Sequence, residues 1–338
     1  MRIALVHDDL VQWGGAERVL LGLCEIYPDA PIFTTVFDRT NFILRQNFGH
    51  KKIITSFLQK IPGWRKLYKT LLPLYPLAFE QFNFDDLDLV ISHTTRFAKS
   101  IITKPRTIHI CYCHTPPRFL WHFSGLGSYG LGEVLMTKLR IYDQVTASRV
   151  DYFIAGSENA RRRIQKIYRQ DAKVVYPFVD LDRFKDPPSG GFDGGYYVTA
   201  GRPTSYKRFD IAQKACKELG VELKIIDGSF SDQMMVNILA GCKALIITGE
   251  EDFGISSLEA QALGKPVVAY GYGGSKETVI NGKTGLFFNF QTAESLMEAI
   301  KKLNSTKINP QDLRHNAKRF SKQNFVKNFT QTVESLLY

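Results

Sequence analysis

Short runs of apolar residues, each closed by a glycine, a proline or a charged turn, recur along the whole chain. They include Ile3-Ala-Leu-Val6, Asp88-Leu-Val-Ile-Ser92, Ile108-His-Ile-Cys-Tyr-Cys113, Tyr196-Tyr-Val-Thr-Ala200 and Ala244-Leu-Ile-Ile-Thr248. They do not alternate cleanly between apolar and polar, so neither face of such a strand is meant for water. Parallel strands covered by helices on both faces have this pattern. Helical spacing begins between them, as at Val19, Leu20 and Leu23, and the expectation is an α/β fold. A length of 338 residues suggests about two domains. Val150-Asp-Tyr-Phe-Ile-Ala155 reads as the last strand of the first half, Lys173-Val-Val-Tyr-Pro-Phe-Val-Asp180 as the crossing, and Asp186-Pro-Pro-Ser-Gly-Gly-Phe-Asp-Gly-Gly195 as a flexible linker. The tail, with Phe325, Val326, Phe329, Val333 and Leu336, reads as an amphipathic helix.

In an open parallel sheet, ligands meet the carboxyl ends of the strands, so the residues leaving each run carry the functional information. After Ala244–Thr248 come Glu250, Glu251, Asp252, Phe253, Gly254 and Ile255, then Ser256, Ser257 and Glu259. Gly254 allows close backbone approach, and Ser256 or Ser257 is expected to cap a helix that ends before Gly264. The amino end of that helix suits phosphate. Glu251 ahead of it and Glu259, expected about two turns along, are acceptors for sugar hydroxyls or, alternatively, solvated acids. After Tyr196–Ala200 come Gly201, Arg202 and Lys207, either a diphosphate clamp or surface charge. After Ile3–Val6, Gly14 and Gly15 either let phosphate meet backbone N–H groups or form a tight turn. His114 leaves Ile108–Cys113 into a Pro-braced loop, as a ligand contact or as a satisfied structural histidine.

Composition narrows the classes. With 44% hydrophobic and 23% charged residues, the chain is an ordinary globular enzyme by content. No stretch reaches the roughly 20 apolar residues of a spanning helix, and Met1–His7 is too short for a signal peptide. The net charge is +11, and between Asn41 and Phe79 there is no Asp or Glu. Arg45, Lys51, Lys52, Lys60, Arg65, Lys66 and Lys69 alternate there with Ile53, Ile54, Phe57, Leu58, Trp64 and Leu67. That mixture suits an anionic bilayer surface, with Trp64 and Phe57 at the acyl boundary; nucleic acid and a plain solvated face are the alternatives. The five cysteines show no paired spacing and read as buried thiols of a reducing cytosol. Cys111, Cys113 and His114 are a conceivable metal set without a second ligand cluster.

Glu-x-Phe-Gly-x-x-x-Leu-Glu-Ala, from Glu251 to Ala260, resembles the donor-site signature of glycosyltransferase family 4. Three further segments resemble that family's motifs. They are His7-Asp-x-Leu with Gly14-Gly-Ala-Glu-Arg-Val19, Tyr112-Cys-His-Thr-Pro-x-Arg-x-x-Trp121, and Gly201-Arg-x-x-x-Tyr-Lys-Arg-x-Asp210. The resemblance spans nearly the whole chain, and the first of the three is similar to bacterial mannosyltransferases. It implies the GT-B fold, two Rossmann-like domains facing across a cleft. Residues 1–178 would take the acceptor side, 179–318 the nucleotide sugar, and a helix over 319–338 would cross back to the first domain.

The resemblance also implies site roles. His114 would lie beside the reacting sugar, with Glu251, Arg202 and Lys207 as its catalytic companions. Gly14, Gly15, Arg202, Lys207, Glu251, Phe253, Gly254, Ile255 and Glu259 would hold the donor. Asp252, Pro203 and Gly156 depart from the usual glycine, leucine and asparagine, which leaves the reaction class intact and the donor sugar open. The expected activity is metal-independent, retaining transfer of mannose from GDP-mannose to a lipid-linked or polysaccharide-precursor acceptor, with no cofactor. The expected place is the cytoplasmic membrane face, in peripheral contact with anionic lipid and without nucleic acid. A UDP-sugar donor, a nucleotide-sugar epimerase of the same fold and a basic nucleic-acid-binding protein are the alternatives.

Overall fold

The computed structural model describes residues 1–68, 70–121, 133–185, 194–227 and 230–337. Lys69, most of the Pro/Gly linker (186–193) and the turn residue Gly228 lie outside the described residues. The chain divides into two compact units. One runs from Met1 to Val175 and takes back Val326–Tyr338; the other is Tyr176–Phe325.

The first unit holds a seven-stranded sheet. Its strands are β1 (Ile3–His7), β2 (Ile32–Thr34), β3 (Ile53–Thr55), β4 (Leu89–Thr94), β5 (Ile108–Cys113), β6 (Tyr152–Ala155) and β7 (Ala172–Val174). The order is β3-β2-β1-β4-β5-β6-β7 and every pairing is parallel. Leu5, Val6, Leu89, Val90, Ile91 and Ile110 of the central strands are fully buried. At roughly 1.5–3 kcal/mol for each such side chain, burial on both faces is what selects the parallel sheet. In the returning tail, Phe329 is buried and its ring lies 5.9 Å from that of Tyr112 on β5.

The second unit holds β8 (Tyr197–Ala200), β9 (Leu223–Ile226), β10 (Ala244–Ile247), β11 (Val267–Tyr270) and β12 (Gly285–Phe288). They are ordered β12-β11-β10-β8-β9 and again all parallel. In each sheet the chain reverses its direction of winding once, between β1 and β4 in the first and between β8 and β10 in the second. Those two switch points are where an open α/β sheet leaves room for a ligand.

The acid-free segment is not one continuous surface. Ile53–Thr55 is an edge strand, and Leu58, Trp64, Tyr75 and Phe79 belong to the core of the first unit. Trp64 is only 6% exposed, so it is not available at an acyl boundary, contrary to the expectation from composition. A basic flank does not keep an indole at the surface when an apolar cluster can take it. Phe42, Ile43, Phe57, Leu67 and Leu77 are the large apolar side chains left exposed.

Candidate active site

In the second unit, β10 is buried along its length and delivers Thr248, Gly249, Glu250 and Glu251 to the switch point. A Cβ on Gly249 would stand 2.4 Å from the Tyr206 carbonyl oxygen, so only glycine lets the loop after β8 close on this strand end. Thr248 Oγ1 fastens the same loop by donating to the Lys207 carbonyl at 2.7 Å. Lys207 Nζ then reaches Glu251 Oε1 at 2.7 Å, both side chains being largely shielded (14% and 12% exposed). Arg208, next along, sits in the left-handed region at φ 50. Few non-glycine residues occupy that region, and it is the turn that sends the chain from Lys207 into the helix Phe209–Leu219. Arg202 stands exposed on this loop, in the same unit as Lys207, Glu251 and Glu259.

Neither serine caps the helix after Glu251. Gly254, at φ 95, is the residue ahead of Ile255–Ala262, and it has no side chain with which to cap the helix. Ser257 Oγ donates instead to the Gly254 carbonyl at 2.7 Å, because within the helix it can reach back only to a carbonyl. Ile255 is the first helical residue, which puts Glu259 about one turn in rather than two. Phe253 is 6% exposed, its ring 5.4 Å from both Tyr176 and Phe320. Its side chain therefore anchors the turn in the core. The Gly274 N–H donates to the Glu251 carbonyl at 2.8 Å and fixes the turn from the following loop.

Glu259 has a partner that motif reading missed. Arg183 Nη1 lies 2.9 Å from Glu259 Oε1, and Arg183 Nη2 lies 3.2 Å from Asp232 Oδ1. The arginine comes from a separate short helical turn, Leu181–Phe184, and nothing in the sequence links it to Glu259, 76 positions further on.

In the first unit, Gly14 caps the helix Gly15–Ile26 in an extended conformation with no side-chain acceptor, and Glu17 in its first turn is buried. His114 follows β5 directly, its N–H donating to the Thr94 carbonyl at 3.0 Å and its Nε2 2.7 Å from His93 Nε2. His93 and His7 are buried beside it; sequence reading passed over His93 and met His7 only as the first residue of a motif. The available signal was position: His7, His93 and His114 all stand at or just beyond the carboxyl ends of buried strands. Cys111 and Cys113 pack among Phe153, Ala155 and Ile164 while His114 turns to His93, so these three do not converge as metal ligands. All five cysteines are buried and reduced. Burial pushes the Cys24 and Cys242 thiols up to about 12 and that of Cys216 up to about 11, which keeps them protonated and unreactive near neutral pH.

The comparisons with known proteins follow this division. Residues 13–183 match the family described as Glycosyltransferase Family 4, and residues 195–320 match that described as Glycosyl transferases group 1. The chain is similar to the alpha-1,3/1,6-mannosyltransferase ALG2 of Dictyostelium discoideum, 32% identical over 152 residues, a stretch that is 43% of this chain and 36% of that protein. The chain thus spans about a third of that relative's length. The protein of the same description from Mus musculus is 23% identical over 352 residues, covering 84% of this chain and 83% of the relative. Among solved structures, Anabaena Alr3699/HepE in complex with UDP superposes with a TM-score of 0.71 at 19% identity, over 99% of this chain and 100% of that one. Sucrose-phosphate synthase from Thermosynechococcus elongatus reaches 0.75 at 14% identity, over 100% and 99%. At such identities the likeness concerns the fold, which is GT-B.

Proposed function

The chain belongs to glycosyltransferase family 4, and on that premise we propose that it transfers a sugar from a nucleoside-diphosphate donor to a glycan acceptor. The observation that carries the proposal is the Lys207–Glu251 pair at 2.7 Å, ahead of a helix that begins behind Gly254. A diphosphate at that point would gain the helix N–H groups and exchange one acceptor of Lys207 for another. Lys207, with Arg202 from the same loop, would then stabilise the charge that grows on the leaving phosphate. Glu251 and Glu259 would accept from donor hydroxyls, and His114 would meet the transferred sugar. Attack and departure on the same face of the sugar, without an enzyme nucleophile or a metal, complete the reading.

Mannose from GDP-mannose is the donor we favour, because the mouse and Dictyostelium relatives are described as mannosyltransferases. A panel of GDP- and UDP-sugars tests it by thermal shift and by release of nucleoside diphosphate. A true donor at a hundredfold its Kd stabilises the fold by about 2.7 kcal/mol. If UDP-sugars shift the transition and GDP-sugars do not, the donor assignment is wrong. If the sugar is inverted with no acceptor present, the epimerase reading replaces transfer.

The acceptor would be a lipid-linked or polysaccharide-precursor glycan, met at the cytoplasmic face of the membrane. No described helix is long and apolar enough to cross a bilayer, and the support for peripheral contact is the first unit's exposed Phe42, Ile43 and Leu67 among Arg45, Lys52, Lys60 and Lys66. Each cation near anionic lipid contributes about 1 kcal/mol, screened by salt. Sedimentation with anionic vesicles should therefore weaken as salt rises. It should be lost when Arg45, Lys52, Lys60 and Lys66 are reversed to glutamate; retention by that variant would remove membrane contact from the reading.

A further inference from the structure

Two imidazoles are buried at the switch point of the first sheet with no part in the reading above. His7 is 3% exposed and His93 not at all. β1 and β4 pair in register here, His7 opposite His93, and β5 leads straight into His114. The ring nitrogens meet in series. His7 Nδ1 lies 2.9 Å from His93 Nδ1, and His93 Nε2 lies 2.7 Å from His114 Nε2. At the inner end, His7 Nε2 lies 3.9 Å from Oε1 of the buried Glu17. His93 has thus committed both nitrogens to other imidazoles, along a line rather than toward one point. Leu5, Val6, Val90 and Ile91 on the same strands carry no polar atoms to satisfy, so three imidazoles in series are a costly way merely to fill space.

The protons on this chain can be placed. His7 Nδ1 also lies 3.3 Å from the His93 carbonyl oxygen, which can only accept. His7 Nδ1 therefore carries a hydrogen, and His93 Nδ1 receives it. Burial above all, with the neighbouring His114 and His7, holds His93 well below the ordinary imidazole range, so near pH 7 it is neutral and has one proton. With Nδ1 accepting, that proton is on Nε2 and is donated to His114 Nε2. His114 Nε2 in turn accepts, and its own hydrogen is on Nδ1. At Gly156, which puts no side chain against that nitrogen, a Cβ would stand 3.5 Å from it.

We propose that His7 and His93 are positioning residues that hold His114 as the Nδ1–H tautomer. The inference rests on the reading of His114 as the group that meets the transferred sugar, and it deepens that reading. An imidazole can offer a lone pair or an N–H, and the relay selects the N–H, which suits an oxygen of the sugar and not a hydroxyl proton awaiting abstraction.

The test is a long-range 1H–15N spectrum of the histidine-labelled full chain at pH 7, with no ligand. The expected result is the Nδ1–H pattern for His114 and the Nε2–H pattern for His93. In His93→Leu, His114 should move toward the Nε2–H form that an unconstrained imidazole prefers, with kcat down about fivefold and donor KM within about twofold. His93→Gln, whose amide N–H can take the place of Nε2–H, should return the His114 pattern and recover most of kcat. The proposal is overturned if wild-type His114 carries its proton on Nε2. It is equally overturned if His93→Leu, folded by its thermal transition, leaves the His114 signals in place. Because the spectrum needs no turnover, the expected tautomers alongside normal transfer by His114→Ala would refute the role of His114 and leave the relay standing.

Discussion

At the strand ends of the first sheet the polar groups include imidazoles sealed in the interior, His93 at 0% and His7 at 3% exposure, beside the buried carboxylates of Asp8 and Asp9. At the matching ends of the second sheet they are ions at the margin of solvent, Lys207 and Glu251 in one pair, Arg183 and Glu259 in another. Both sheets are parallel and wound about a single switch point, so the fold does not account for the contrast. Neutral buried groups hold geometry, because breaking a satisfied network in a low-dielectric interior leaves an orphaned donor or acceptor. A partly exposed ion pair holds less, and either partner can be handed to an incoming ion. The second unit is thus built to exchange partners and the first to keep them.

The contrast breaks first at Lys207. Lys207→Ala should lower turnover about 10³-fold, the upper end of what one leaving-group contact supplies, and should abolish thermal stabilisation by nucleoside diphosphate. Some loss of stability in the second unit is expected as well, since the variant removes the cation from a Glu251 side chain that is only 12% exposed. Unchanged turnover would mean that the pair is only a surface ion pair.

Acid should act on the other unit. Burial lowers the pKa of His109 to about 4 and that of His93 well below its ordinary value, whereas the second unit's His315 is exposed. A histidine depressed in the folded state takes up its proton more readily when unfolded. The associated stability is therefore complete above about pH 6.5 and is lost as pH falls toward 4. For His109 alone the loss is about 3 kcal/mol, and His93 adds to it. Calorimetry between pH 7 and 4.5 should show the transition of the first unit falling ahead of the second; a parallel decline of both would contradict the assignment.

These features differ in how far they could be read from the chain. The strand ends bearing Glu251, Lys207 and His114 were legible because a buried parallel strand announces itself by an uninterrupted apolar run. β2 and β3 were not, being three residues each and too short for any period. Nor was the burial of Trp64, which depends on neighbours distant in sequence. His7 and His93 stand 86 positions apart and meet only through the register of β1 on β4, while Arg183 reaches Glu259 through a turn with no signature of its own. Local pattern reveals elements and their exits, and pairing between exits is a tertiary fact.

A smaller effect is expected at His114. His114→Ala should reduce turnover about a hundredfold, the low end for loss of one well-placed hydrogen-bond donor, with nucleotide affinity within about twofold because the nucleotide is assigned to the other unit. Equal losses of affinity and rate would make His114 a structural histidine.

The smallest effect sharpens the comparison within the second unit. Glu259 is read as an acceptor for donor hydroxyls, yet here it accepts from Arg183, which also faces Asp232 and lies with its guanidinium 5.1 Å from the Phe184 ring centre. If Glu259 serves the donor, Glu259→Ala should raise donor KM about tenfold, or about 1.4 kcal/mol, while Arg183→Ala should leave KM nearly unchanged or lower it by releasing the carboxylate. If Glu259 serves only to hold Arg183, the two single variants should weaken the second unit's thermal transition alike, and neither should move KM. The double variant separates the cases. Under the first reading its KM matches that of Glu259→Ala, since removing Arg183 changes nothing once the acceptor is gone; under the second the two stability losses fail to add, because each deletion already breaks the same contact.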